Sequence, residues 1–242
     1  MNIQIALLLS ILAGLGTLLG SILIFIPKLN KRDYIPLFLS ISATIMLTFS
    51  ILDLIPESII YIRSNTRPLK SLFLILIPFI SGVLVIKILD KFYKENNNLK
   101  KIGILSFISL AIHNFPEGIA TFLSSMVSIR LGVSLSLGIM LHNIPEGICI
   151  SLPLYQATKN KKKVLLTTFI ASIAEPTGAI ISYIFLKNYI NNLTISIILL
   201  FVAGLMITLS INNIYKEVLN SKKYLVRGII IGLIISLIAL SV

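Results

Sequence analysis

Histidine is nearly missing from this 242-residue chain, which has two: His113 and His142. A three-histidine metal centre therefore cannot be built from one copy, no loop is histidine-rich, and the His-Glu-x-x-His phrase of zinc hydrolases is absent. Cysteine is as scarce: Cys149 stands alone, so disulfides play no part in the fold and thiol usage says nothing of the compartment. No glycine-rich phosphate loop occurs, which argues against ATP drive. Polar stretches long enough for a soluble domain are also lacking, since the chain is 56% hydrophobic with a mean hydropathy of +0.99. Acidic residues number 9 against 21 basic ones, a net charge of +12. In a soluble protein that balance would suggest nucleic acid, but its distribution here excludes that partner in favour of the lipid bilayer.

The apolar residues form eight runs, roughly 4 to 26, 35 to 62, 71 to 89, 102 to 127, 131 to 156, 164 to 186, 193 to 215 and 225 to 242. Each approaches the ~20 residues that cross a hydrocarbon core as a helix. The fold class read from this is all-α: an integral, polytopic membrane protein of eight transmembrane helices, with residues 1–242 forming a single transmembrane transporter domain. The first run has no basic flank before it and no small-residue cleavage site, so it reads as a retained helix. With both termini outside, the inner loops hold Lys28, Lys31, Arg32, then Lys87, Lys91, Lys94, Lys100, Lys101, then Lys159, Lys161, Lys162, Lys163, and finally Lys216, Lys222, Lys223 and Arg227. That leaves Arg63, Arg67, Lys70, Arg130 and Lys187 outside, as the positive-inside rule expects. The basic run 159–163 is thus a topology signal over anionic lipid. The stretch Glu95-Asn96-Asn97-Asn98 reads as a polar, mobile loop.

Within the fourth and fifth runs one phrase occurs twice, as His113-Asn114-Phe115-Pro116-Glu117-Gly118 and as His142-Asn143-Ile144-Pro145-Glu146-Gly147. Residues four apart share a helix face, so each copy presents an imidazole beside a carboxylate. Both histidines fall about eleven residues into their runs, or ~16 Å deep at the helical rise. Antiparallel neighbours bring them to one level. A lone histidine on an apolar helix is usually a satisfied core residue, but two copies in the same context at matching depth point to a functional site. The two prolines free the carbonyls of Ile112 and Leu141 and are expected to kink each helix there. The pair reads as a divalent-metal site on a transport path, and Asn114 and Asn143 offer amide oxygens for a second, harder site or for orienting a ligand.

Glu175, followed by Pro176 in the sixth run, is a third mid-depth carboxylate with no midplane Lys or Arg to pair with, and is expected to face the same cavity. Asp53 and Glu57 lie four apart near the outer end of the second run, where they would concentrate cations at an entrance or simply reach the interface. Met46 sits near the midplane, where a thioether more often packs than ligates. Cys149 and the small residues Gly14, Gly16, Gly20 and Ser21 read as packing. The window Met46 to Glu57 aligns with Met206 to Glu217, matching Met, Thr, Ser, Ile and Glu, in spans that run in opposite directions. That is the trace of an inverted-repeat transporter architecture, in which Asn213 and Glu217 mirror Asp53 and Glu57.

Taken together, HNFPEGIA, HNIPEG and the SIAEP phrase around Glu175 make the chain resemble the ZIP family of divalent-metal transporters, its bacterial broad-range branch in particular. The resemblance implies a central metal site from His113, Glu117, His142 and Glu146 with Met46 close by. It also implies a second position from Asn114, Asn143 and Glu175 that Glu117 and Glu146 would bridge. A binuclear site, a homodimer in the bacterial plasma membrane and metal movement toward the cytoplasm follow from the same likeness. The chain departs from similar proteins at Asn212 and Asn213, where they carry acids near the inner exit. Mixed nitrogen and oxygen donors suit zinc, iron, manganese, cobalt or cadmium rather than calcium or magnesium. The cation is cargo, so no prosthetic group and no enzyme activity is expected. The alternatives are an exporter using the same site and an intramembrane metal-dependent hydrolase.

Overall fold

The structure, a computed structural model, describes residues 3–27, 32–186 and 191–240. Lys28, Lys31 and Lys187, counted above for orientation, lie outside the described residues. Helices account for every regular element among the described residues: α1 (Ile3–Gly20), α2 (Ile35–Phe49), α3 (Ile55–Asn65), α4 (Pro68–Phe92), α5 (Asn98–Val127), α6 (Ile129–Thr158), α7 (Lys161–Ile181), α8 (Asn192–Thr208), α9 (Lys216–Val218) and α10 (Lys222–Leu240). They combine into eight segments long and apolar enough to cross a membrane, because α2 joins α3 and α8 joins α9 through continuous helical backbone. All eight coincide with the apolar runs of the sequence.

Asparagines start three of the helices. Asn97, Asn160 and Asn191 each accept a hydrogen bond from a backbone N–H three residues on, at Lys100, Lys163 and Thr194, over 3.1, 3.0 and 2.9 Å. The loop read as mobile is therefore an N-terminal cap. Glu95 also accepts from the Asn97 backbone and from the Lys100 ammonium, which holds its carboxyl below the usual range.

α5 and α6 run through Pro116 and Pro145 as single α-helices. The wider, π-type turns lie elsewhere, at Ser50–Leu54, Ser182–Leu186 and Leu209–Tyr215. The first has a local cause: Pro56 cannot donate to the carbonyl four residues back, and the Ile55 N–H reaches Ser50 instead. The first and third fall at matching positions of the two aligned windows.

The helices form two groups. α1, α5, α6 and α7 pack into a four-helix bundle, while α2 pairs with α10 and α4 with α8 around it. Within the bundle, glycines bring backbones into direct contact. A Cβ on Gly118 of α5 would strike the Glu175 carbonyl of α7, one on Gly178 the Phe115 carbonyl, and one on Gly147 of α6 the Thr17 carbonyl of α1. Gly82 and Gly204 do the same between α4 and α8. Every such glycine contact joins helices of one group, and none crosses from the bundle to the other pairs among the described residues. The link between groups includes one buried polar bond, from the Ser42 hydroxyl of α2 to the Pro145 carbonyl of α6 at 2.7 Å.

Gly118→Val should accordingly force α5 from α7 and cost about 1–3 kcal/mol, read as a lower thermal midpoint in detergent. Gly138→Val, at a position where an added Cβ meets nothing within 4 Å, should leave that midpoint nearly unchanged.

Candidate metal centre

The bundle interior holds both copies of the doubled phrase. Helical periodicity sets His113 over Glu117 on α5, and antiparallel packing against α6 brings His142 and Glu146 to the same level. The His113 Nε2 lies 3.1 Å from Glu117 Oε1 and 3.3 Å from Glu146 Oε1, and the His142 Nε2 lies 2.9 Å from Glu117 Oε1. The two imidazole centroids are 6.3 Å apart. Donor atoms of His113, His142 and Glu146 all fall within 4.8 Å of one another. Ligand atoms around a tetrahedral zinc at about 2.0–2.1 Å stand roughly 3.3–3.5 Å apart, so small side-chain adjustments would close the set.

These groups are deeply buried: His113 is 2% exposed, Glu146 1% and Glu117 5%. They line a cavity of about 30 Å3, room for a water-sized species, together with Met46, Met206, Phe49 and Asp53. Met46 thus sits where the resemblance implied. Its partner Met206 was missed, although its alignment with Met46 was the signal that could have found it.

Glu175 does not line this cavity, which corrects one expectation. α7 lies against α1 and α5, and the carboxylate points instead to Asn143, whose Nδ2 donates to Glu175 Oε2 at 3.0 Å and to the Ala13 carbonyl at 3.1 Å. The Nδ2 of Asn114 donates to Thr17 Oγ1 and to the Ala171 carbonyl, both at 3.3 Å. α1, read as plain packing, therefore engages the NH2 groups of both amides and leaves their oxygens directed elsewhere.

A consequence appears in the hydrogen-bond ledger. Among the described residues, His113 Nδ1, Asn114 Oδ1, Glu117 Oε2, Asn143 Oδ1, Glu146 Oε2 and Glu175 Oε1 are buried without a hydrogen-bond partner, while His113 Nε2 meets only the two carboxylate oxygens already named. Buried polar atoms seldom stay unpaired. Five of these are oxygen acceptors, and a cation satisfies several acceptors at once.

A cavity of about 300 Å3, lined by Glu57, Tyr61, Ser124 and Asn192, adjoins the centre, and Asp53, Leu54, Glu117 and His142 line both spaces. At the opposite end a basin of about 410 Å3 is lined by Asp90, Lys101, Asn212, Asn213 and Glu217 and shares no lining residue with the central cavity. A cluster containing Met46, Leu110, Cys149, Met206 and Leu209 packs between helices of both groups. The acid at the Asn213 end comes from α4, because Asp90 Oδ1 accepts from Asn213 Nδ2 and from Lys101 Nζ, each at 2.9 Å. Nothing in the sequence pattern had singled out Asp90.

Membrane-length helices enclosing a buried His and Glu cluster, with a cavity toward either end, define a polytopic membrane transporter. Known proteins agree. Residues 90–239 match the family model described as ZIP Zinc transporter. The chain is 33% identical to a zinc transporter ZupT of Streptococcus mutans, across 97% of this chain and 96% of that protein. It is 32% identical to a zinc transporter ZupT of Clostridium perfringens, across 99% and 96%. A third ZupT, from Oceanobacillus iheyensis, is 34% identical across 88% and 87%. The chain belongs to the ZIP zinc transporter family, and this sets aside the intramembrane hydrolase.

The amide anchor is testable without metal. Asn143→Leu strips Ala13 and Glu175 of their shared donor and should lower stability by about 1–3 kcal/mol, measured as thermal midpoint in detergent. Met206→Leu, which conserves volume, should cost under about 1.5 kcal/mol.

Proposed function

We propose that this protein carries zinc, and with it iron, manganese, cobalt or cadmium, across a bacterial plasma membrane toward the cytoplasm. The reading is carried by six buried, unpartnered polar atoms around two imidazoles and three carboxylates at mid-depth. Burial of so many ionisable groups is costly unless an opposite charge offsets it. His113, Glu117, His142 and Glu146 form the central seat, with the Met46 sulfur beside it. Asn114, Asn143 and Glu175 supply a second, oxygen-lined seat, with Glu117 and Glu146 between the two. Asp53 and Glu57 gather the cation in the vestibule, where a negative mouth raises its local concentration. The cation then exchanges water for imidazole nitrogen and carboxylate oxygen at the midplane.

In this reading the vestibule faces outward, both termini lie outside, and the loops rich in lysine face the cytoplasm. Every proposed ligand except Met46 belongs to the α1, α5, α6 and α7 bundle, which glycine contacts hold together. Rocking of that bundle against the α2, α10, α4 and α8 group would close the vestibule and connect the centre to the Asp90 basin. The twin π turns, the two methionines and the Asp53–Glu57 and Asn213–Glu217 pairs support an inverted repeat relating the two ends. The reading takes the chain as one transmembrane unit and includes a homodimer, for which the uncovered apolar flank of α4 at Leu72, Phe73 and Ile80 offers a surface.

Radiozinc uptake into proteoliposomes tests the proposal. His142→Ala should reduce uptake at least as much as losing a supporting residue around a metal does, about 10- to 100-fold. Uptake equal to wild type in a well-folded variant would remove the histidines from the mechanism, and efflux-only flux would reverse the direction. Protons compete with metal for imidazole and carboxylate, so uptake should also fall as the outer pH drops from about 7.5 to about 5.5. A flat pH profile would count against these ligands.

A further inference from the structure

The back of the metal cavity abuts a second space of a different chemistry. A groove of about 460 Å3 runs between α2, α6 and α10, walled by Phe38 and Ile41, by Leu141 and Ile148, and by Ile235 and Ile238. Among the described residues, His142 is the only polar side chain in its lining. Ile45, Phe49 and His142 line both this groove and the metal cavity, so these three side chains form the partition between them. The Phe49 and His142 rings stand 5.1 Å apart in that wall.

We propose that the groove is a binding site for one acyl chain of a membrane lipid, seated against the hydrocarbon side of the His142 and Phe49 wall. The groove lies at the level of His142, mid-way along α6, so it opens to the hydrocarbon core rather than to water. Its mouth is continuous with the lipid-facing surface: Leu141 is 47% exposed, Ile235 42% and Ile238 61%. Its lining is aliphatic and aromatic apart from His142, and at this depth the surrounding medium is acyl chain, so an extended hydrocarbon chain enters it lengthwise.

The position of the groove gives the tail a role. α2 and α10 belong to one helix group and α6 to the other, so the tail is wedged between groups that have to shift if the site is to change sides. A ligand shifts such an equilibrium by its preference for one arrangement. A tail filling the groove favours the arrangement in which the groove exists and holds His142 toward the metal cavity. Only this regulatory step rests on the transport reading; seating of the tail does not.

The test uses the full chain in liposomes of phosphatidylglycerol and phosphatidylethanolamine carrying a phospholipid with a mid-chain diazirine, with adducts mapped by mass spectrometry. Adducts are expected at Leu141, Ile148 and Ile235 in excess of those at Leu15 and Ile173, which face lipid near the same depth. Ala239→Phe, which fills the groove from α10, should abolish the groove adducts and leave those at Leu15 and Ile173 unchanged. Equal labelling of groove and reference positions would mean ordinary boundary lipid and overturn the site. Cross-linking between two copies carrying Ile235→Cys, without groove adducts, would assign the groove to a second copy and overturn it as well. Equilibrium dialysis of zinc in the same liposomes reads the regulatory step: a changed zinc Kd in Ala239→Phe supports it, and an unchanged Kd with lost groove adducts overturns it. Wild-type liposomes that show groove adducts but take up no zinc would refute the transport reading and leave the tail site standing.

Discussion

Charged groups in hydrocarbon must satisfy one another or something that visits them, and that constraint shapes the middle of this protein. His113, Glu117, His142 and Glu146 converge because each alone would be too costly to bury, and Glu117 Oε1 serves both imidazoles at once. Mutual pairing is nevertheless incomplete. The second oxygens of Glu117 and Glu146 and the amide oxygens of Asn114 and Asn143 keep no partner, while the amide nitrogens are engaged by α1, α7 and Glu175. A centre whose amide donors are matched and whose oxygen acceptors are left over is polarised toward a cation.

That polarity has to be held rigidly, and small residues do the holding. Glycines at helix crossings let α1, α5, α6 and α7 meet backbone to backbone, where dispersion is strongest and side-chain freedom does not enter. Contacts between this bundle and the surrounding helices are of another kind, mostly side chains of Ile, Leu, Met and Phe, with Ser42 reaching the Pro145 carbonyl. Such a boundary tolerates displacement better than interlocked backbones do. The central site therefore sits almost wholly inside the stiff unit, while Met46, Met206 and Phe49 approach it from the other.

Much of this was legible beforehand. Eight apolar runs gave the eight spans, and the repeated phrase gave the four central side chains at one depth, because helix rise and period are local properties. Asp53 and Glu57 line the cavity of about 300 Å3 beside the centre. Other expectations yielded to packing. The wider turns at Ser50–Leu54 and Leu209–Tyr215 were not foreseen. Glu175 had the right depth yet faces Asn143 rather than the cavity, since depth along an axis says nothing of the direction around it. Asp90 went unnoticed because a single acid near a span end looks like any interfacial residue until Asn213 and Lys101 are seen to meet it.

The amino-acid order alone settled the class of the protein, its spans, the pairing of each imidazole with a carboxylate on one face, and the family resemblance, since all of these follow from periodicity and from motifs within one helix. Which acceptors stay unpartnered among the described residues, which cavity adjoins the centre, how Met206 and Asp90 enter, and that Ile45, Phe49 and His142 part the metal cavity from an apolar groove were decided by the fold. Those properties depend on how helices distant in the chain are rotated and set against one another, and no local spacing encodes that.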